Sequence, residues 1–71
     1  MRGKYVVLVW KYKENEFGTI FSADSFGEFR DLEDAEKIYN SIELDDFATQ
    51  KEIWLETEED QTRIKYEYYL D

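Results

Sequence analysis

The chain has 71 residues, which allows one domain and one small hydrophobic core. It contains neither Cys nor His, so disulfides, zinc sites built on those ligands, and Ser-His-Asp or Cys-His nucleophilic centres are excluded. With 18 acids against 9 bases the formal net charge is −9, which repels nucleic acid and anionic membrane surfaces and favours basic partners.

An aromatic content of 18% argues for a folded chain despite a mean hydropathy of −0.77. The charge is uneven along the chain. Arg2, Lys4, Lys11 and Lys13 make the first thirteen residues basic, whereas the remainder is acidic throughout. Met1-Arg2-Gly3-Lys4 precedes an apolar run, Tyr5 to Trp10, that is too short for a signal peptide or a membrane span. A cytoplasmic location without membrane contact is therefore expected.

That apolar run is the natural first strand, from about Lys4 to Lys13. Its two faces are Val6, Leu8, Trp10 and Tyr12 on one side, and Tyr5, Val7, Val9, Lys11 and Lys13 on the other. The first set is apolar throughout, and the pattern assigns it to the core. Glu14 to Gly18 reads as a hairpin loop. A second strand follows over about Thr19 to Ala23, with Lys13 opposite Gly18 and Trp10 opposite Phe21. Asp24-Ser25-Phe26-Gly27 reads as a break, and Glu28-Phe29-Arg30 as a short extended piece.

Asp31 is a natural N-cap, and Glu33 and Asp34 suit the positive end of a helix dipole. The spacing of Leu32, Ala35, Ile38, Tyr39 and Ile42 predicts a helix from Leu32 to about Ser41 with one apolar stripe. Leu44 and Phe47 are apolar anchors in an acidic connector that has the composition for another helical turn. Two further strands are expected, over about Gln50–Thr57 and Thr62–Leu70. If Thr57 opposes Thr62, Ile53, Leu55, Ile64, Tyr66, Tyr68 and Leu70 share one face. Glu52, Trp54, Glu56, Arg63, Lys65, Glu67 and Tyr69 then share the other, with Glu56 beside Arg63 and Trp54 beside Lys65.

The sum is an α+β two-layer sandwich in the order β-β-α-β-β, a four-stranded antiparallel sheet with one helix on one face. Strand order is left open. The helix is expected over Val6, Leu8, Trp10, Phe21, Ile53, Leu55, Ile64 and Tyr66. Tyr5, Val7, Val9, Ile20, Trp54 and Tyr69 then lie on a face without obvious cover, where a patch of this kind marks an interface.

The chemistry-bearing residue types are almost all carboxylates. Glu56, Glu58, Glu59 and Asp60 cluster near a turn, but a chain this small has little room for the shaped cavity that catalysis needs. They match no calcium-loop spacing, and the three glycines form no phosphate-binding motif. No cofactor or metal is expected, and no enzymatic activity. The expected function is stoichiometric binding of a basic surface on a larger protein, through the uncovered sheet face, the acidic rim of Glu56, Glu58, Glu59 and Asp60, or both. In size and charge the chain is similar to small phage-encoded inhibitors of host defence or nucleic-acid-binding proteins, some of which mimic the phosphate backbone. The alternative is a structural or regulatory homo-oligomer that associates through the uncovered face, with its acidity serving solubility only.

Overall fold

The computed structural model describes residues 3–69. Four antiparallel strands form one sheet with a single helix, in the order β1 (Lys4–Asn15), β2 (Gly18–Phe29), α1 (Leu32–Ser41), β3 (Ala48–Glu56) and β4 (Gln61–Tyr68). Across the sheet the order is β2-β1-β3-β4, so the apolar first strand sits in the interior and pairs on both edges. Among the described residues no helix is long and apolar enough to cross a membrane. The α+β class and element order agree with the sequence pattern.

The faces of β1 are reversed from the expectation. Tyr5, Val7 and Val9 point to the helix layer, where Val7 and Val9 are fully buried. Val7, Ile53, Ala35 and Tyr39 form the core, with Tyr5, Phe29, Ile38 and Ile42 packed around them. The reason is steric. The centre of the layer is filled by the compact Val7 and Ile53 packed with Ala35 and Tyr39, while the larger Tyr5 and Phe29 rings sit at its partly buried margin. Of the eight residues expected beneath the helix, only Ile53 and Leu55 are on that side. Val6, Leu8, Trp10, Phe21 and Tyr66 belong to the opposite face.

Three register irregularities account for most of the remaining differences. β2 is a long strand rather than two pieces. Leu8 pairs with Ser25 and Val6 with Glu28, leaving an extra residue of β2 around Phe26-Gly27. The sequence break there is thus a β-bulge, and Gly27 adopts φ 131° to make it. At the other end Asn15 pairs with Gly18, placing Trp10 opposite Ala23 and Tyr12 opposite Phe21. A second irregularity, around Thr49, separates the Trp10–Gln50 and Lys11–Ala48 pairs. A third inserts Ile64 between Arg63, opposite Trp54, and Lys65, opposite Ile53. That single residue moves Tyr66 and Tyr68 away from Ile53 and puts Lys65 and Glu67 on the helix side. The expected pairs Glu56–Arg63 and Trp54–Lys65 are not formed, because Thr62 lies opposite Leu55 rather than Thr57, which sets Glu56 against Gln61 and Trp54 against Arg63. The face of Leu70 lies outside the described residues.

The helix begins and ends where its pattern predicts. Asp31 occupies the N-cap position in extended geometry, but its side chain makes no capping hydrogen bond. Leu32 is the exposed end of the apolar stripe. The last turn carries no basic residue of its own. Lys51 of β3 supplies one instead, its ammonium donating to the carbonyls of Tyr39 (2.9 Å) and Ile42 (3.0 Å). A buried cation thereby satisfies two carbonyls at the negative end of the helix dipole. The Tyr39 hydroxyl is buried without a hydrogen-bond partner among the described residues, and burial, reinforced by the nearby Glu67 carboxylate, raises its pKa.

The connector after α1 is not helical. Asp45 Oδ1 accepts from the amides of Phe47 (2.8 Å) and Ala48 (2.7 Å), closing a turn that leads into β3. The Phe47 ring stays exposed, while its carbonyl accepts from the Tyr12 amide.

Candidate protein-binding face

The sheet face away from the helix collects the chain's bulkiest side chains. Strand alternation and register place Val6, Leu8, Trp10 and Tyr12 of β1 beside Phe21 and Ala23 of β2. On the other side lie Gln50, Glu52 and Trp54 of β3, then Arg63, Tyr66 and Tyr68 of β4. Neither the helix nor the connector covers them, so the rings cover one another. Trp10 stacks on Phe21 with centroids 5.3 Å apart, Tyr12 meets Phe21 at 4.7 Å, and Tyr66 meets Tyr68 edge-on at 5.5 Å. This leaves Tyr12, Phe21, Tyr66 and Tyr68 between 44% and 51% exposed.

At the centre of the face is a carboxylate. Glu52 is only 3% exposed and has four donors around it. Its Oε1 accepts from Trp10 Nε1 (2.6 Å) and Trp54 Nε1 (3.3 Å). Its Oε2 accepts from Gln50 Nε2 (3.0 Å) and Arg63 Nη1 (2.9 Å). Burial alone pushes the Glu52 pKa up, but the bonds from Arg63, both indoles and Gln50 outweigh it and hold the group below the ordinary carboxylate range. Arg63 in turn lies over the Tyr66 ring, 4.1 Å from its centroid. The result is a fixed platform in which one ion pair orients two indoles and a phenol.

The other charges on the four-stranded part of this face are also paired. Lys4 contacts Glu28 and, at 3.6 Å, Glu56. Lys4 and Arg63 thus face Glu28, Glu52 and Glu56, a surplus of one, and Glu14 beyond Tyr12 adds one more, so among the described residues this face carries two of the chain's nine surplus negative charges. The rest lie elsewhere, many along the helix and its flanking connectors.

The residues expected to bind a partner are not gathered in one place. Val7 and Val9 are inside the core layer, and Tyr5 packs against it. Ile20 lies opposite Lys13 on the side of the hairpin shared with Lys11. Tyr69 follows β4, and its amide donates to the Thr49 carbonyl. Of the expected apolar set only Trp54 is on the uncovered face. Glu56 is half-buried against Lys4 and Gln61, whereas Glu58, Glu59 and Asp60 are exposed in the β3–β4 turn. The sequence pattern puts Glu52 on one face of its strand with Trp54 and Glu56 but marks no role for it. The signal for its role is the alternation Gln50-Glu52-Trp54, which puts a carboxylate between an amide and an indole donor on one face of a strand.

No group of three or more Asp or Glu side chains among the described residues is placed to hold a metal ion. No protein-family model, curated protein or solved structure matches the chain.

Proposed function

We propose that this chain is a non-enzymatic protein-binding module of the cytoplasm that associates stoichiometrically through the open aromatic face of its sheet. The observation that carries the reading is the set of Tyr12, Phe21, Tyr66 and Tyr68, each about half-exposed on one face around the buried Glu52 anchor. Water-exposed rings held in fixed orientation lose little further entropy on contact, which is why Tyr and Trp dominate interface energetics. The chemistry of the face supports binding over catalysis. Glu52 is its most deeply buried acid, and both its oxygens are occupied by donors, so it has neither a proton to give nor a vacant position to receive one.

A second reading is favoured by the position of the surplus charge. The exposed Glu58, Glu59 and Asp60 offer a basic partner a contact off the aromatic face, as an inhibitor of phage type or a phosphate-backbone mimic requires. One experiment separates the two. The wild type, a Phe21→Lys/Tyr68→Lys variant and a Glu58→Gln/Glu59→Gln/Asp60→Asn variant are immobilised, and protein retained from source-cell extract is compared after folding is checked by circular dichroism. Loss of a retained protein in the first variant alone supports the aromatic face. Loss in the second alone favours the acidic turn, and unaltered retention by the first variant refutes the principal reading.

A further inference from the structure

We infer that the occupant of the aromatic face is a second copy of this chain, docked face to face in a two-fold symmetric dimer; this rests on the face being the binding surface.

Three physical arguments converge on that partner. The first is charge. A basic partner would find little free carboxylate on the four-stranded part of this face, because Glu52 is held by Arg63 and Lys4 is shared by Glu28 and Glu56, while Glu14 lies out at the hairpin end of β1. The surface that complements a flat, aromatic, charge-compensated sheet is another of the same kind, and this chain presents one.

The second argument concerns repulsion. A net charge of −9 opposes self-association unless the surplus is kept away from the contact. Here the helix, with its acidic turns and connectors, lies behind the sheet. Stacked sheets lie about 10 Å apart, which sets the two helix layers roughly 30 Å apart, several times the Debye length of about 8 Å in physiological salt. The arrangement brings the least charged face of each copy into contact and leaves the most charged one in solvent.

The third argument is area. Aromatic side chains bury 150–250 Å² each, so four half-exposed rings together with the remaining surface of Leu8, Trp10 and Trp54 offer roughly 500–600 Å² per copy. The pair would bury about 1,000–1,200 Å², at the lower limit for a specific interface and consistent with micromolar dissociation. Homodimer contacts are also the most apolar and aromatic class of interface.

Sedimentation equilibrium over a wide concentration range tests this. The wild type should approach twice the single-chain mass of 8.7 kDa. Phe21→Lys/Tyr68→Lys should hold that single-chain mass, and Glu33→Lys on the exposed side of the helix should still dimerise. Raising sodium chloride from about 0.05 to about 0.5 M should strengthen association or leave it unchanged, since the residual force between the copies is repulsive. A wild type that stays monomeric at millimolar concentration overturns the inference. So does a dimer that survives the double substitution, or one that dissociates as salt rises. If the double variant fails to fold, a mixed-isotope sample of the wild type decides. Intermolecular proton contacts among Phe21, Tyr66 and Tyr68 support the dimer, and their absence overturns it. A monomeric wild type whose face variant still loses a captured protein removes the second copy and leaves the binding-module reading intact. A monomer with unaltered capture removes both.

Discussion

Replacing Glu52 by Gln changes one atom of the platform and should destabilise the whole fold. The carboxylate accepts two bonds on each oxygen, from two indoles on one side and from Gln50 and Arg63 on the other. An amide has one carbonyl oxygen and one NH₂ group, so whichever way it is seated two donors face a donor. Two charge-assisted bonds at about 1.5–3 kcal/mol each, less the relief of no longer burying a charge, give a net loss of about 2–4 kcal/mol. In a domain of this size that corresponds to a fall in Tm of roughly 10–25 °C. The folded-state pKa of Glu52 is depressed below its ordinary 4.5, so the unfolded chain binds the proton more readily. The carboxylate's contribution is therefore complete above that value and is lost as pH falls through the folded pKa. Urea unfolding followed by Trp emission, repeated from neutral to acidic pH, measures both effects. The gap between wild type and Glu52→Gln should be widest near neutrality and should narrow below pH 4.5. A gap under about 0.5 kcal/mol, or one that does not change with pH, would refute the assignment of Glu52 as the anchor.

Lys51→Met should release the end of the helix, because the Tyr39 and Ile42 carbonyls lose their donor; a cost of about 2–3 kcal/mol is expected. Amide exchange in the last helical turn should accelerate, and unchanged protection there would remove the capping role. Val7→Lys should abolish folding, since it buries an ammonium against Ala35 and Tyr39, while Tyr12→Lys on the open face should leave the circular dichroism spectrum intact. Equal tolerance of the two would mean that the helix lies on the other face. Gly27→Ala should cost more than Gly18→Ala in thermal melts. Both glycines have positive φ, but a methyl at position 27 would meet the Phe29 ring at 3.0 Å, while one at 18 would meet nothing within 4 Å. Equal losses would exclude the contribution of the Phe29 contact.

The helix, the number of strands and their order along the chain were legible because each rests on a local signal: three-and-four spacing, alternating apolar residues, acids in a first turn. The two faces of β1 were not. Purity of apolar character favoured Val6, Leu8, Trp10 and Tyr12 for the core, whereas the helix selected Val7 by size, with Ala35 opposite it. The bulges were equally hidden. Ile64 is an apolar residue in an alternating strand, and nothing local marks it as the extra residue that turns Tyr66 and Tyr68 to the open side. Each such insertion reverses parity for the rest of its strand, so one unseen residue misplaces several side chains at once. The aromatic face was thus present in the composition but scattered over the wrong surfaces in the pattern.

What holds the correct parity is the adjacent pair Lys51 and Glu52, two buried charges of opposite sign on opposite faces of β3. Lys51 is satisfied only on the helix side, by the Tyr39 and Ile42 carbonyls; Glu52 is satisfied only on the open side, by Trp10, Trp54, Gln50 and Arg63. A slip of one residue would carry the carboxylate into the layer of Val7, Ile53 and Ala35 and would move the ammonium away from the helix end. Each displaced charge would then be buried without its partners, at several kcal/mol apiece, comparable with the entire stability of so small a domain. Apolar residues at both positions would pack acceptably in either register and leave β3 free to choose. The two charges therefore do for the sheet what the apolar pattern of β1 cannot, since that strand is apolar on both faces and distinguishes them only by size. The same constraint that fixes the register also fixes the open face, because the group that satisfies Glu52 is the group of rings and donors that a partner would meet first.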